Sequence, residues 1–148
     1  MKARRIEVSR FGPAFVDTSA YYVLADRREA NHVAAGAIAG QLADERRVLD
    51  TTNLILAETH ALVLARFGQA VALRVLQETD NSEIRIARPK DADEQGGRAI
   101  LVRYADKTFS LTDAISFSVM DRLSLADAFA FAQHFAQYGK RVLRAPSG

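Results

Sequence analysis

The sequence predicts an α/β fold in which a mainly parallel β-sheet is covered by helices on both faces. Its 148 residues match the length of one compact domain, and an apolar content of 49% is enough to form a substantial core. Short apolar segments typical of strands alternate with longer segments of helical periodicity. Because a parallel crossover needs about a dozen residues or more, usually a helix, this alternation favours a parallel sheet.

The first half of the chain predicts a strand, two helices, a second strand and a third helix. The polar residues Asp17, Thr18 and Ser19 follow the first apolar run and can cap the first helix. Residues 50–52 supply caps for the third helix, and Gly68 ends it. With their caps, these elements cover residues 14–16, 17–24, 32–42, 48–49 and 50–67.

The second half predicts three helices and three strands. Pro89 ends an alternating strand, and acidic residues at 91–94 resemble a capping box for the helix that follows. Ser110 opens a strongly apolar helix. The predicted helices are residues 69–77, 91–104 and 110–120, and the strands are residues 84–87, 128–131 and 141–143.

Composition excludes several classes of protein. The chain has no cysteine, so disulfides, thiolate zinc sites, iron–sulfur clusters and cysteine nucleophiles are impossible. Its longest apolar stretches, such as residues 61–65, fall far short of the roughly 18 residues that a membrane helix needs. The basic N-terminus is not followed by the continuous apolar region of a secretory signal. We therefore expect a cytoplasmic protein.

Positive charge is concentrated at the two ends of the chain. Residues 1–10 and 139–148 each carry a net charge of +3, so residues 11–138 carry −4 of the overall +2. Sixteen of the 20 cationic residues are arginines, whose planar fork suits phosphate oxygens. We expect a single domain over residues 1–148, with basic tails at residues 1–12 and 145–148 that are mostly solvated surface.

Common nucleotide, hydrolase and zinc motifs are absent. The sequence lacks G-x-G-x-x-G, G-x-x-x-x-G-K-[ST], G-x-S-x-G and H-E-x-x-H, and Gly96 and Gly97 fall inside a predicted helix. The three histidines, His32, His60 and His134, have no mutual metal-ligand spacing. Each is therefore expected to lie on the surface or to serve packing.

Three acidic residues occupy positions that helix capping or salt bridging does not fully explain. Asp17 follows the first strand, at the sheet edge where α/β proteins bind ligands, although it can equally be a helix N-cap. Glu58 shares helical spacing with apolar neighbours, which predicts a covered carboxylate that needs an arginine, a metal or a proton. Asp113 shares a face with Phe109 and Phe117, but with Ser110 it also forms a capping-box pattern. The apolar positions aligned with Glu58 are Leu54, Ala61, Leu62 and Ala65.

Three carboxylates meeting at one sheet edge would suit a hard divalent cation. Mg²⁺ and Mn²⁺ prefer oxygen ligands, and such an ion can activate water and neutralise the charge of a phosphodiester. This chemistry needs neither cysteine nor histidine.

Four sequence segments around these acids together match a known family pattern. They read FVDTSA at 15–20, LILAET at 54–59, YADKTFSLTDAISFSVM at 104–120 and FAFAQHF at 129–135. In order and spacing they resemble PIN-domain ribonucleases, specifically the VapC-type toxins of bacterial toxin–antitoxin modules, from about residue 14 to residue 143.

The resemblance implies a three-layer PIN fold with about five parallel strands. It implies that Asp17, Glu58 and Asp113 bind Mg²⁺ or Mn²⁺ for endonucleolytic RNA cleavage, yielding a 5′-phosphate and a 3′-hydroxyl. Thr18 and Ser19 match positions that support the acids by hydrogen bonding, and Asp106 matches a frequent acidic position nearby. The family also implies a small antitoxin partner that covers the site, and a homodimer.

One position departs from the family pattern. Where Phe-Asp-x-His-Phe is usual, this chain has Phe131-Ala132-Gln133-His134-Phe135, so the fourth acid is missing. Metal affinity is then weakened, or Asp106 compensates, or the protein has lost catalysis and acts as an RNA- or protein-binding module. We expect retained or weakened nuclease activity. A phosphoacceptor role for Asp17 is a further alternative, but the second aspartate of a D-x-D motif is lacking.

Overall fold

A five-stranded parallel sheet organises the described part of the chain. The computed structural model describes residues 9–147, and residues 1–8 and 148 lie outside this range, as do the corresponding parts of the predicted basic tails. The strands follow the order β3-β2-β1-β4-β5 across the sheet, and all four pairings are parallel. They are β1 (Ala14–Val16), β2 (Leu49–Thr52), β3 (Arg85–Ala87), β4 (Asp127–Phe129) and β5 (Arg141–Val142).

Seven helices in the described part of the chain flank this sheet. Six of them match predicted helices, whereas the short helix after β4 was not predicted. They are α1 (Thr18–Ala25), α2 (His32–Asp44), α3 (Asn53–Phe67), α4 (Gln69–Asp80), α5 (Asp91–Arg103), α6 (Leu111–Arg122) and α7 (His134–Tyr138). The predicted α/β class, with a parallel sheet covered by helices on both faces, is confirmed.

The bounds of four strands differ from the prediction, and those of β2 and β4 differ most. Asp50 and Thr51 are strand residues of β2 rather than helix caps, because they pair with β1 and β3 in the sheet, and Arg85 of β3 also pairs with the Asp50 carboxylate at 2.8 Å. Thr52 alone caps α3, and its hydroxyl accepts the Ile55 N–H at 3.1 Å. Strand β4 ends at Phe129 instead of continuing to Phe131, whose N–H donates to the Ser19 hydroxyl instead of to the sheet.

The hydrophobic core lies on both faces of the sheet. Phe15 in β1 packs in a cluster with Phe117 and Phe135, whereas its neighbours Ala14 and Val16 pack with α1 and α2 on the other face. This is the alternation expected of a strand buried on both sides. Gly97 in α5 permits a close approach to α6, because a Cβ atom there would lie 2.8 Å from Ile115 Cγ1.

Buried arginine–aspartate pairs secure the amino-terminal edge of the sheet. Asp127 at the start of β4 accepts hydrogen bonds from Arg47 and Arg141 at 2.6 to 2.7 Å. Burial alone would raise the pKa of Asp127, but the two guanidinium groups outweigh it and lower the pKa. This edge is therefore occupied by satisfied charges, and the opposite, carboxyl-terminal edge carries the predicted acids.

None of the helices within residues 9–147 has the length and apolar character needed to cross a bilayer.

Candidate active site

The three predicted acids come from three separate elements. Asp17 directly follows β1 and caps α1, Glu58 lies in the second turn of α3, and Asp113 lies in the first turn of α6. Their charges interact: Asp113 raises the pKa of Asp17, and both aspartates raise the pKa of Glu58. The fold thus brings these three distant positions into one electrostatic cluster, which we call the acidic cluster.

Asp17 is the most deeply buried member of the acidic cluster. Its Oδ2 atom accepts hydrogen bonds from the Ser19 N–H at 3.1 Å and the Ser19 hydroxyl at 2.6 Å. Burial raises the pKa of the Asp17 carboxyl, and these hydrogen bonds oppose the rise only in part. The N-cap interpretation is therefore correct, and it is compatible with a site role because Oδ1 takes neither of the two bonds.

Glu58 does not lie on a buried stripe, which corrects the prediction. The buried positions of α3 are Ile55, Thr59 and Val63, so the face that enters the core is turned away from the predicted one. Glu58 is exposed, and Leu62, one of its predicted apolar neighbours, is 42% exposed. The pattern misled because Thr59, a polar residue, occupies a core position, where its hydroxyl donates to Thr18 Oγ1 at 3.2 Å.

Glu58 nevertheless contacts the other elements of the site. Partial desolvation raises the pKa of its carboxyl, and the hydroxyls of Thr18 and Thr112 lie close enough to counter this by stabilising the charged form. Thr112 belongs to the first turn of α6, so it links this helix to α3. Apart from its position beside Asp113, no sequence feature identified Thr112 as a site residue.

Asp113 performs the predicted capping function. Its Oδ2 atom accepts the Ser110 N–H at 2.9 Å, and its own N–H donates to the Ser110 hydroxyl at 3.0 Å. The carboxylate is 15% exposed, consistent with the expected covered surface. A second contact comes from His134, whose Nδ1 atom lies 2.9 Å from the same Oδ2.

His134 is the residue whose role was missed. All three histidines were predicted to serve surface or packing functions, and His32 fits this because its Nδ1 contacts the Val23 carbonyl at 2.8 Å. His134 instead contacts an acid of the cluster. His134 could have been recognised as a site residue from its place in the Phe-x-x-His-Phe segment. The criterion applied to the histidines was their spacing as metal ligands, and that criterion does not identify His134.

The predicted supporting residues separate into two groups. Thr18 and Ser19 contact the acidic cluster, as described. Asp106 pairs with Lys107 at 3.3 Å, its side chain is 74% exposed, and no contact joins it to the cluster in the described part of the chain. Compensation by Asp106 for a missing acid therefore has no support in the geometry.

Ala132 lies between two residues that contact the acidic cluster. It occupies the bend between β4 and α7, two residues before His134. The preceding residue, Phe131, donates its N–H to the Ser19 hydroxyl at 2.9 Å, and that hydroxyl donates to Asp17. The neighbour of the position that carries an acid in the family pattern is thus linked to Asp17 through one serine.

The donor set fits a hard divalent cation in chemistry, although the side chains do not form a closed ligand cage. Among the described residues, no group of three or more His, Asp or Glu side chains is placed to hold a metal ion as it stands. Three neighbouring carboxylates repel one another without a cation, and Asp17 and Asp113 are held by their own helix caps. All three offer carboxylate oxygen, the ligand that Mg²⁺ and Mn²⁺ prefer.

Comparison with known proteins decides the family. No family model matches the chain, but the 23S rRNA-specific endonuclease VapC20 of Mycobacterium tuberculosis is 30% identical over 125 residues. The match covers 84% of this chain and 93% of the relative, and the same protein from a second strain of that species gives the same values. The chain belongs to the VapC-type PIN-domain toxins. The predicted class, a toxin endoribonuclease, is thereby confirmed.

A solved VapC structure agrees with this fold. The crystal structure of Mycobacterium tuberculosis VapC20, described as a sarcin–ricin loop cleaving toxin, superposes with a TM-score of 0.79 at 28% sequence identity. The match covers 88% of this chain and 98% of that structure. The three-layer PIN architecture of a VapC-type toxin is therefore present over nearly the whole chain.

Proposed function

We propose that the protein hydrolyses RNA phosphodiester bonds with a Mg²⁺ or Mn²⁺ ion held by Asp17, Glu58 and Asp113. The observation that carries this proposal is the contrast between buried acids. Asp50, Asp93 and Asp127 each pair with arginine, and hydrogen bonds from the Arg28 N–H and the Tyr22 hydroxyl lower the pKa of buried Asp26. Asp17, equally buried, has no ion pair with lysine or arginine among residues 9–147, and its pKa is raised. Buried negative charge without a cation is costly, so an external cation is the natural partner.

The residues around the acidic cluster would prepare it for this ion. Ser19 holds Asp17 by Oδ2, and Ser110 holds Asp113 by Oδ2, so one oxygen of each carboxylate is fixed and Oδ1 takes none of these bonds. Glu58, which is exposed, supplies the solvent side. A divalent cation bound there would activate water and neutralise charge that develops on the phosphate.

Exposed cations beside the site would hold the RNA backbone. Arg88 and Lys90 follow the carboxyl end of β3, at the same sheet edge as Asp17, which follows β1. Phosphate contacts of this kind weaken as salt rises, because bound counterions are released. RNA affinity should therefore fall with increasing salt, and less steeply when Arg88 and Lys90 are both changed to glutamine.

The substrate class is proposed from the relatives. VapC20 is named as specific for 23S rRNA and as cleaving the sarcin–ricin loop. We propose that this protein likewise cleaves a structured loop of ribosomal RNA. The products would carry a 5′-phosphate and a 3′-hydroxyl, and the reaction would take place in the cytoplasm. Synthetic loops of ribosomal RNA and unstructured RNA of equal length would separate this substrate from general ribonuclease activity.

Protein partners are part of the same proposal. Leu62, Leu64, Phe67 and Leu73, on α3 and α4, are each 36–47% exposed. Large apolar side chains that stay exposed are candidates for contacts with other proteins. They support a homodimer and a small antitoxin that covers the site.

The decisive assay is endonucleolytic cleavage with and without Mn²⁺. We expect cleavage that stops on chelation and is lost in Asp17→Asn. Asp44→Asn, at an exposed position on α2, is the matched control and should cleave normally. Cleavage that persists in a chelator would contradict the proposed cation.

A second candidate function is a catalytically impaired binding module. Ala132 favours it, because a methyl group at the position of the family's fourth acid cannot hold a cation or its water. Purified protein that cuts no RNA, combined with cutting by Ala132→Asp, would establish this alternative.

A further inference from the structure

His134 is held in one orientation at the start of α7. Its Nδ1 atom lies 2.9 Å from Asp113 Oδ2, and an ionised carboxylate only accepts hydrogen bonds, so Nδ1 carries the proton and donates. Its Nε2 atom lies 3.4 Å from the Thr108 hydroxyl. The ring also packs edge-on against Phe109, with centroids 5.6 Å apart. The neighbours of the imidazole therefore fix both its tautomer and its plane.

The two carboxylate oxygens of Asp113 differ in their hydrogen-bond partners. Oδ2 accepts both the Ser110 N–H and the His134 Nδ1–H, and Oδ1 takes neither. Asp17 shows the same division, since both Ser19 bonds go to its Oδ2. In these hydrogen bonds each aspartate is thus anchored through its Oδ2 atom.

Helix capping does not account for His134. The reciprocal pair of hydrogen bonds between Ser110 and Asp113 is complete without the histidine. The imidazole adds a third hydrogen bond from a different helix, which restricts rotation of the carboxylate. His134 lies two residues after Ala132, the position where the family pattern has an acid. The segment between β4 and α7 therefore contacts the acidic cluster through a histidine, although the acid is missing.

We propose that His134 is a positioning residue that fixes the Asp113 carboxylate so that Oδ1 is presented to the divalent cation. This inference rests on the proposed function, because the cation is the one assigned above to Asp17, Glu58 and Asp113. Hydrogen bonds that orient a ligating carboxylate contribute about 10- to 100-fold to metal affinity in other proteins.

Two amide substitutions test the position of the donor. In His134→Asn the amide nitrogen replaces Nδ1 and can still donate to Asp113, whereas in His134→Gln it replaces Nε2 and cannot. Mn²⁺ binding to the full chain, measured by calorimetry, should stay close to wild type for His134→Asn. It should weaken by about 10-fold or more for His134→Gln and His134→Ala. His32→Gln, at a histidine whose Nδ1 meets a backbone carbonyl, should leave the affinity unchanged.

The outcomes separate this inference from the proposed function. If the wild type and all three His134 variants bind Mn²⁺ equally, and Asp17→Asn does not bind, the cation site stands and the positioning role is overturned. A lowered melting temperature with unchanged Mn²⁺ affinity in His134→Gln would likewise overturn it, since this marks a purely structural contact. A wild type that takes up no Mn²⁺ would overturn both.

Discussion

Asp17 follows β1, Asp127 begins the adjacent strand β4, and the two are 5% and 6% exposed, but among residues 9–147 only Asp127 is paired with arginine. Asp127 begins β4 at the amino-terminal edge, where Arg47 and Arg141 neutralise it. Asp17 follows β1 at the opposite edge, where its charged neighbours are other acids. The fold thus satisfies buried charge at one edge and leaves it unpaired at the other.

The pH dependence of stability should reflect this unpaired charge. Burial raises the pKa of Asp17, so the folded state binds its proton more tightly than the unfolded state does. The contribution of Asp17 to stability is therefore present at low pH and is lost as pH rises through the folded-state pKa. We expect Asp17→Asn to be more stable than the wild type at neutral pH and to lose this advantage in acid, as measured by urea denaturation across pH without divalent cations. An advantage that grows in acid would contradict the assignment.

Removing the opposite aspartate should have the reverse effect. Asp127→Ala leaves the Arg47 side chain, only 3% exposed, without its main carboxylate partner. Breaking one half of a buried ion pair costs about 3–5 kcal/mol, so a loss of unfolding free energy near 3 kcal/mol is expected from urea titration at neutral pH. A change below about 1 kcal/mol, the value of an exposed pair, would show that Arg47 finds another partner.

The close approach of α5 and α6 gives a prediction about packing. Gly97→Ala places a Cβ atom 2.8 Å from Ile115 Cγ1 and 3.0 Å from the Ile115 nitrogen, so it should destabilise the protein by about 1–3 kcal/mol. Gly36→Ala, in α2 with open space around it, is the matched control. It should stabilise the protein by about 0.5–1 kcal/mol, because alanine favours helix. Equal thermal shifts for both variants would contradict the tight contact.

Restoring an acid at position 132 should strengthen the cation site. In Ala132→Asp a fourth carboxylate joins the cluster through the loop that Phe131 anchors to Ser19. Without a cation the added repulsion should lower the melting temperature. With saturating Mn²⁺ the stabilisation should exceed that of the wild type, because tighter binding to the folded state raises its stability. Thermal melts with and without Mn²⁺ measure both effects, and an equal Mn²⁺-induced shift in the two proteins would place residue 132 outside the site.

Local patterns predicted those features that short segments determine. The run at residues 14–16 and its capping Asp17 appeared as expected, and so did the reciprocal bonds of Ser110 and Asp113. In the two caps the deciding hydrogen bonds join residues no more than three apart, whereas the strand was recognised by its uniformly apolar residues. The parallel arrangement followed from the alternation of strands and helices.

Features that depend on distant partners escaped prediction. Asp50 lies in a strand because it pairs with Phe15 of β1 and with Arg85 of β3, both far away along the chain. Glu58 is exposed because Thr59 takes the core position with a hydrogen bond to Thr18. His134 contacts Asp113 only because α7 packs against α6, and α7 itself is too short to show helical periodicity.

Mn²⁺ titration by calorimetry of the wild type and of Asp17→Asn, with Asp44→Asn as the exposed control, tests the central claim most directly. We expect the wild type and Asp44→Asn to bind with equal heat, and Asp17→Asn to lose affinity by at least about 100-fold, the upper range for residues that only orient a ligand. Unchanged binding heat in Asp17→Asn would show that the cation is held elsewhere and that the acidic cluster is not the site.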